Sequence, residues 1–219
     1  MFVFALAAVF ACKIESSDQP VAIEMILPDS ARVEVTDTFR PSGRVLNGVG
    51  DSVSAELFWT SFDTTLQVLD SATGVSLGAF LGTARLQART GNLFTNPQTV
   101  TVVPRPDSIR ALSAVRDTVL PGDTLSDSLS VQVFGLGGAI PANRRVVFTV
   151  AAIFPSNGPD VTLVPRDTLA TNSTGVAVVR VRRPSGAVPD SVFVTATMQH
   201  FNHTAVDGSP VTFVVEFRP

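Results

Sequence analysis

Apolar and polar residues alternate one by one along much of this chain, and the last segment shows the pattern clearly. One face of Val211–Arg218 is made of Val211, Phe213, Val215 and Phe217. The other face is polar except at Val214. Side chains alternate across a strand with a period of two, so this pattern predicts a half-buried β-strand.

The first half of the chain repeats this pattern in short segments rich in Val, Thr and Phe. The predicted strands are Val21–Leu27, Arg32–Arg40, Val53–Trp59, Leu66–Leu69, Thr83–Thr90 and Gln98–Val103. Turn-forming runs separate them: Pro28-Asp29-Ser30, Pro41-Ser42-Gly43, Asn47-Gly48 and Ala72-Thr73-Gly74. No segment keeps a helical period, and short strands at this spacing favour a β-sandwich.

The second half has the same style after an interruption at Pro104-Arg105-Pro106-Asp107, where neither proline can donate to a β-ladder. Its predicted strands are Ser128–Phe134, Arg145–Ala151, Val161–Val164, Val176–Arg182, Ser191–Met198 and Val211–Arg218. We therefore predict an all-β chain of two tandem Ig-like β-sandwiches, with a first domain at 21–104 and a second at 105–219.

The N-terminus carries a different signal. An uninterrupted apolar run, Met1 to Ala11, ends at Cys12, the only cysteine. A transmembrane helix needs about 20 apolar residues, whereas the apolar core of a signal peptide needs about 7–15. Val9-Phe10-Ala11-Cys12 resembles the lipobox of bacterial lipoproteins, which implies that Cys12 is acylated and that residues 1–12 are a lipoprotein signal.

No basic residue precedes Lys13, so an uncleaved amphiphilic anchor remains an alternative. A buried structural cysteine is a further alternative, which the preceding apolar run disfavours. Residues 13–20 then form a tether that holds the folded part within roughly 30 Å of the bilayer, at about 3.3–3.6 Å per residue. The expected location is the cell envelope, periplasmic or at the outer surface, with the membrane contacted through lipidated Cys12.

Composition narrows the function classes. Among the 219 residues the hydrophobic fraction is 45%, as in a folded protein, and the formal net charge is −3 without a basic block. That balance argues against a nucleic-acid partner. With one cysteine there is no internal disulfide, so the hydrophobic cores alone must stabilise the domains.

Two family resemblances follow from short motifs. Phe58-Trp59-Thr60-Ser61, then Asp70-Ser71-Ala72-Thr73-Gly74, then Gly82-Thr83-Ala84 resemble the strand, turn and strand of the group 2 bacterial Ig-like repeat over roughly 21–103. Residues 107–219 are similar to the invasin-type Ig-like repeat through Asp167–Asn172 and Gly175-Val176-Ala177. Asn172 stands where that repeat has Asp. The resemblance implies a bacterial Ig-like domain lipoprotein.

No motif supports catalysis, a metal site or a cofactor. His200 and His203 lie near Asp207, but two loop histidines without a third ligand are poor at holding zinc, and we expect them to be solvated. Gly50-Asp51-Ser52 has no base or orienting group for a serine nucleophile.

Other fragments of familiar sites are equally incomplete. Gly135-Leu136-Gly137-Gly138 precedes no helix that could bind phosphate, and we expect a hairpin or an inter-strand loop there. The pairs Asp63/Asp70 and Asp123/Asp127 are more typical of turns than of calcium sites.

Binding to a protein partner is the remaining chemistry, and it points to the second domain. Phe154 and Phe201 stand in predicted loops beside Pro, Asn or His, where an exposed aromatic residue is a plausible interface anchor. Their alternative role is to plug the ends of the sandwich. His200 and His203 flank Phe201. Arg180 and Arg182 share a strand face and could make charge-assisted contacts, or could protect a strand edge from aggregation.

Two functional hypotheses result. In the first, the protein is a non-catalytic, membrane-anchored extrinsic protein that braces a partner protein or membrane complex, for example a photosynthetic reaction centre with its antenna. In the second, it is a cell-surface adhesin or carbohydrate-binding module. The short tether favours the first hypothesis, because adhesins usually carry their tip far from the membrane.

Overall fold

A computed structural model describes residues 18–218, and these residues form an all-β fold with no α-helix among them. The strands of the N-terminal half are β1 (Ala22–Ile26), β2 (Arg32–Glu34), β3 (Thr38–Phe39), β4 (Ser42–Leu46), β5 (Ser52–Val53), β6 (Phe58–Ser61), β7 (Leu66–Val68), β8 (Ser76–Gly78), β9 (Gly82–Thr90), β10 (Leu93–Phe94) and β11 (Gln98–Val103).

Those strands pair in three sheets. The largest has the order β10-β9-β11-β2, and β6 also pairs with β9. Two three-stranded sheets have the orders β1-β4-β5 and β3-β8-β7. All pairs are antiparallel except β11 with β2. Alternate residues of β9 and β11 face inward, and the core consists of Val33, Phe39, Trp59, Leu66, Ala84, Leu86, Ala88, Val100 and Val102.

The C-terminal half is a two-sheet sandwich. Its strands are β12 (Pro106–Ala111), β13 (Arg116–Val119), β14 (Leu129–Gly135), β15 (Arg145–Phe154), β16 (Thr162–Val164), β17 (Thr168–Ala170), β18 (Val176–Arg182), β19 (Ser191–Thr197) and β20 (Val211–Phe217). The sheets have the orders β12-β14-β18-β16 and β13-β20-β19-β15-β17, and only β13 with β20 is parallel. A short 3₁₀ turn, Leu136–Gly138, joins β14 to β15.

The second core lies between these two sheets and shares no residue with the first. Val131 and Val179 face it from one sheet, and Val194, Phe213 and Val215 face it from the other. The alternation predicted for the last strand is confirmed, with Phe213, Val215 and Phe217 buried. The chain passes between the two cores at Pro104 and Arg105, where we propose the domain limit.

Several predicted strands differ from the structure. The predicted strand Arg32–Arg40 is two strands, since Thr36 has a φ of 68° and turns the chain from one sheet to another. The predicted strand Val53–Trp59 is likewise divided between β5 and β6, which belong to different sheets. Pro106 is the first residue of β12, a position where a strand tolerates proline.

Candidate functional site

Glu34 lies completely buried where the two sandwiches meet. It belongs to β2, whose Val33 points into the first core. Its carboxylate reaches residues of the second sandwich: it forms an ion pair with Arg144 Nη2, and its Oε2 lies 2.6 Å from His200 Nδ1. The backbone N–H of Phe201 also donates to Glu34 Oε1, at 3.3 Å. We call Glu34, Arg144, His200 and Phe201 the junction cluster.

Local hydrogen bonds fix Arg144 in this place. Asn143 turns the chain with a φ of 55°, directly before β15 begins. The buried hydroxyl of Thr171 donates to the carbonyl of Pro141 at 2.6 Å and accepts from the N–H of Arg144 at 2.9 Å. The guanidinium carbon of Arg144 lies 4.0 Å from the centroid of the Phe201 ring, which gives a cation–π contact.

Burial lowers the pKa of Arg144 below its usual value, and the charge of Glu34 opposes that shift. A guanidinium remains charged at neutral pH even so. Arg144 therefore places a charge in a buried position, with Glu34 as its counter-ion. Such a pair fixes the orientation of its two side chains more than it adds net stability, because desolvation offsets much of the attraction. Removal of one partner is nevertheless costly, because it leaves a buried charge without a counter-ion.

His200 and Phe201 come from a tight loop between β19 and β20. His200 N–H donates to the carbonyl of Thr204 at 2.9 Å, and Asn202 Oδ1 accepts from both the N–H and the hydroxyl of Thr204. Since an ionised carboxylate only accepts hydrogen bonds, the contact with Glu34 places a proton on His200 Nδ1. The loop thus presents His200 and Phe201 to the first sandwich in a fixed geometry.

A cleft of about 510 Å³ opens beside the junction cluster. Residues of both sandwiches line it: Asp29, Ser30, Arg32, Arg144, Arg145, Val147, Thr197, Gln199, His200, Phe201 and His203. Within residues 18–218, neither Arg32 nor Arg145 forms an ion pair with a carboxylate. The cleft therefore carries guanidinium groups that the described protein does not neutralise by direct contact.

The backbone around the cleft is strained. Asp29, Ser30 and Ala31 have φ values of 49°, 54° and 58°, and His203 has a φ of 66°. For L-residues the left-handed helical region costs about 1–2 kcal/mol per residue, and such strain clusters at functional sites. The short turn through Pro28 is closed by hydrogen bonds from the N–H of Ala31 and of Arg32.

The geometry of the junction cluster and its cleft suits the binding of a ligand. In the part of the chain that the structure describes, no group of three or more His, Cys, Asp or Glu side chains could hold a metal ion. The buried carboxylate of Glu34 is already engaged by three donors, so it is not free to act as a general base. The cleft presents the positive charge of its arginines beside polar side chains.

Several solved structures are similar to this chain over most of its length. The Yersinia pseudotuberculosis adhesin InvE is 19% identical over 94% of this chain, with a TM-score of 0.45, and this chain spans 60% of it. The fibronectin(III)-like modules of Clostridium thermocellum CbhA are 11% identical, over 89% of this chain and 94% of theirs, with a TM-score of 0.43.

The D00-D0 domain of intimin is 16% identical over 90% of this chain and 100% of its own, with a TM-score of 0.32. No protein-family model matches the sequence. The search of curated proteins also gives no match.

The predicted binding residues divide between two places. His200 is not a solvated loop histidine: its side chain is 9% exposed, since it packs against Glu34. Phe201 neither stands free in solvent nor plugs the end of its own sandwich, because its ring contacts the guanidinium groups of Arg144 and Arg32 at the junction. His203 is exposed as expected and lines the cleft.

Phe154, Arg180 and Arg182 lie outside the junction. Phe154 is the last residue of β15 rather than a loop residue, and its half-exposed ring meets the edge of Phe193 at a centroid distance of 5.4 Å. Arg180 and Arg182 are exposed, but β18 is flanked by β14 and β16, so they do not protect a sheet edge. A role of these three residues in partner binding stays a prediction.

The remaining motifs serve local structure. Asp63 binds Arg85, Asp70 accepts hydrogen bonds within its own turn, and Asp123 accepts from the N–H of Leu120. Gly50 has a φ of 91° in the hairpin between β4 and β5. The glycine-rich run at 135–138 is an inter-strand loop, as predicted.

Sequence reasoning missed Glu34, Arg144 and Arg145. Glu34 stands between Val33 and Val35 in the sequence. Because side chains alternate across a strand, this pattern predicts that Glu34 faces solvent. Arg144 precedes a strand, where an arginine is unremarkable. No local signal marks this pair, because Glu34 and Arg144 are 110 residues apart in the sequence.

Cys12 and most of the predicted tether lie outside the described residues. Within 18–218 the structure contains no helix with the length and hydropathy that a membrane span requires.

Proposed function

We propose that this protein is a non-catalytic binding protein of the bacterial cell envelope, of the adhesin kind, in which the two sandwiches act as one rigid unit. The observation that carries the proposal is the buried junction cluster. Glu34 of the first sandwich accepts hydrogen bonds from Arg144, His200 and Phe201 of the second. Domains joined by a small polar interface normally move relative to one another.

A buried charge restricts that motion. If the domains were to swing apart, Arg144 and Glu34 would lose each other while still partly enclosed, at a substantial free-energy cost. Rigid domains keep the loops of both sandwiches at fixed separations. That property suits a protein that presents a preformed binding surface, and it is less suited to an enzyme that closes over a substrate.

Acylation at Cys12 belongs to the same proposal. Several acyl chains would hold the protein stably on a membrane, whereas one chain binds only marginally. The binding surface would then stand close to the envelope.

Bracing of a neighbouring protein is the second candidate, and one observation favours it. Phe62, Phe80 and Leu81 are each half-exposed or more. Backbone hydrogen bonds tie Phe62 to Arg85, and Phe80 to Thr65, so these apolar side chains lie on adjoining loops. Clustered apolar exposure is typical of a protein–protein contact.

One experiment separates the two candidates. The full chain, tagged at its C-terminus, is purified from membranes in mild detergent, and the co-purifying proteins are quantified by mass spectrometry. In parallel the protein is applied to immobilised polysaccharides. An adhesin should bind polysaccharide without a stoichiometric membrane partner. A single membrane complex at fixed stoichiometry, lost in a Phe62→Ser/Phe80→Ser variant, would favour bracing instead.

A further inference from the structure

The cleft at the junction has the size and the unsatisfied donors of a ligand site. Its volume of about 510 Å³ falls within the range of about 300–1,000 Å³ that is usual for small-molecule sites. The Arg144 side chain is 3% exposed, and its Nη1 is the one buried side-chain polar atom in the described chain that lacks a hydrogen-bond partner. Arg144 therefore brings an incompletely hydrogen-bonded positive charge to the lining of the cleft.

The charges around the cleft favour an anion. Three arginines line the cleft: Arg32, Arg144 and Arg145. Only two carboxylates lie near them, Asp29 in the lining and Glu34, which is completely buried. The charge of Arg32 acts on Arg144, lowering its pKa, which indicates that these two guanidinium groups lie close together. Arg145 is exposed, so it and the half-buried Arg32 offer the first contacts to an entering group.

The geometry of arginine suits an oxyanion. A guanidinium presents its N–H groups in a planar fork that matches a carboxylate or a phosphate in a bidentate arrangement. Around the arginines stand Ser30, Thr197 and Gln199, whose hydroxyl and amide groups can bond to the hydroxyls of a sugar. Val147 and Phe201 form the apolar part of the lining beside these polar groups.

The strained backbone supports the same location. Asp29 and Ser30 from one sandwich and His203 from the other line the cleft, and all three have positive φ values without being glycine. The fold keeps these residues in uncommon conformations on both walls of one opening. Strain of this kind is found where side chains are held ready for a ligand.

We propose that the cleft binds an acidic saccharide, with its carboxylate on Arg32 and Arg145 and its hydroxyl groups on Ser30, Thr197 and Gln199. This inference rests on the proposed binding function and names the ligand class of one of its surfaces. Both sandwiches contribute to the cleft, so the junction cluster also sets its shape.

The test uses the full chain in detergent and tetragalacturonate, a linear tetramer of galacturonic acid, in isothermal titration calorimetry. The neutral galactose tetramer and acetate serve as ligand controls. Tetragalacturonate should bind, the neutral tetramer should not, and binding should weaken as the salt concentration rises. Arg32→Gln and Arg145→Gln should each weaken binding about ten-fold or more, because each removes a charge-assisted hydrogen bond.

Arg166→Gln is the matched control variant, since Arg166 is exposed on the second sandwich and is not among the residues that line the cleft. It should bind tetragalacturonate as the wild type does. Circular dichroism melting verifies that every variant is folded. Wild-type affinity in both Arg32→Gln and Arg145→Gln, or no binding by the wild type, would overturn the proposal.

Equal binding of acetate at matched carboxylate concentration would overturn the saccharide assignment. If tetragalacturonate fails while the protein still binds other immobilised polysaccharides, this inference is wrong and the proposed adhesin function stands. If all polysaccharides fail, the proposed function fails with it.

Discussion

The first core depends on a single residue, Trp59, and on its indole ring. Trp59 is 3% exposed and packs in the core with Ala88 and Leu66. Loss of a large buried aromatic side chain leaves a cavity, so Trp59→Ala should lower the free energy of unfolding by about 3–5 kcal/mol. Urea unfolding followed by circular dichroism measures it, with Trp59→Phe as the milder control. Wild-type emission typical of water-exposed indole would contradict the assignment.

Gly74 lies against the same ring. It has a φ of 75°, and a Cβ there would stand 2.9 Å from both Pro41 and Trp59. Gly74→Ala therefore combines a left-handed backbone with a steric clash. Gly91 has a φ of 54° but open space around it, so Gly91→Ala pays only the backbone cost of about 1–2 kcal/mol. The melting temperature of Gly74→Ala should therefore be well below that of Gly91→Ala. Equal melting temperatures would show that the Trp59 ring moves aside freely.

At the scale of elements, two turns perform the same task in the two sandwiches. Asp70 Oδ1 accepts from the N–H of Ala72, and Asp70 Oδ2 accepts from the hydroxyl of Thr73. Asn172 Oδ1 accepts from Val176 N–H and from both the N–H and the hydroxyl of Thr174. The Asn172 that departs from the invasin-type pattern thus supplies the same acceptor as Asp would.

These turns differ in their response to pH. The Thr73 hydroxyl, and then the Ala72 N–H, hold the pKa of Asp70 below its usual range. A carboxyl whose folded pKa is lowered adds stability that is present above its unfolded pKa and is lost as pH falls through the folded pKa. Melting temperatures measured from pH 6 down to pH 3 should therefore fall less steeply in Asp70→Asn than in the wild type. Parallel curves would contradict this origin of acid sensitivity.

The second turn provides the counterpart. Asn172→Asp should leave the melting temperature near neutral pH almost unchanged, because every acceptor contact is kept. Asn172→Ala removes an acceptor shared by three donors and should cost about 1–2 kcal/mol. Calorimetry of the three proteins tests the ranking, and an Asn172→Asp variant as unstable as Asn172→Ala would show that the turn needs the amide.

Strands rich in Val and Thr were predictable, and a strand whose apolar pattern is interrupted was not. Gln98–Val103 and Val176–Arg182 were predicted with their observed limits. Ser42–Leu46 was missed, since Gly43 and Arg44 interrupt its apolar pattern and its strand character comes from pairing with β1. The junction cluster was hidden for the same reason: Glu34 and His200 lie 166 residues apart, and no local pattern links them.

At the scale of the whole molecule, attachment to the envelope depends on Cys12. If Cys12 is acylated, Cys12→Ser should leave the protein uncleaved or move it from the membrane fraction to the soluble fraction, because the lipid chains are its main attachment. Intact mass spectrometry of the wild type should show a lipid-modified chain that begins at Cys12. A wild-type chain that begins at an unmodified Met1 would exclude the lipoprotein interpretation.

The relation between the two sandwiches depends on Glu34. Glu34→Ala leaves the buried guanidinium of Arg144 and the His200 imidazole without their acceptor, and Arg144→Ala leaves a buried carboxylate. Each change should therefore cost about 3–5 kcal/mol. The double variant Glu34→Ala/Arg144→Ala should cost clearly less than the sum, because the two charges are removed together.

Arg44→Ala is the control for this cycle, since its pair with Glu24 is about half exposed and should contribute under about 1 kcal/mol. Urea unfolding gives the free energies, and small-angle X-ray scattering reports the separation of the domains. Glu34→Ala should give a larger radius of gyration than the wild type, because the ion pair and the hydrogen bonds of Glu34 across the junction are then lost. If Glu34→Ala scatters like the wild type and costs no more than Arg44→Ala, the junction cluster does not hold the domains together, and the rigid unit on which the proposed function depends is absent.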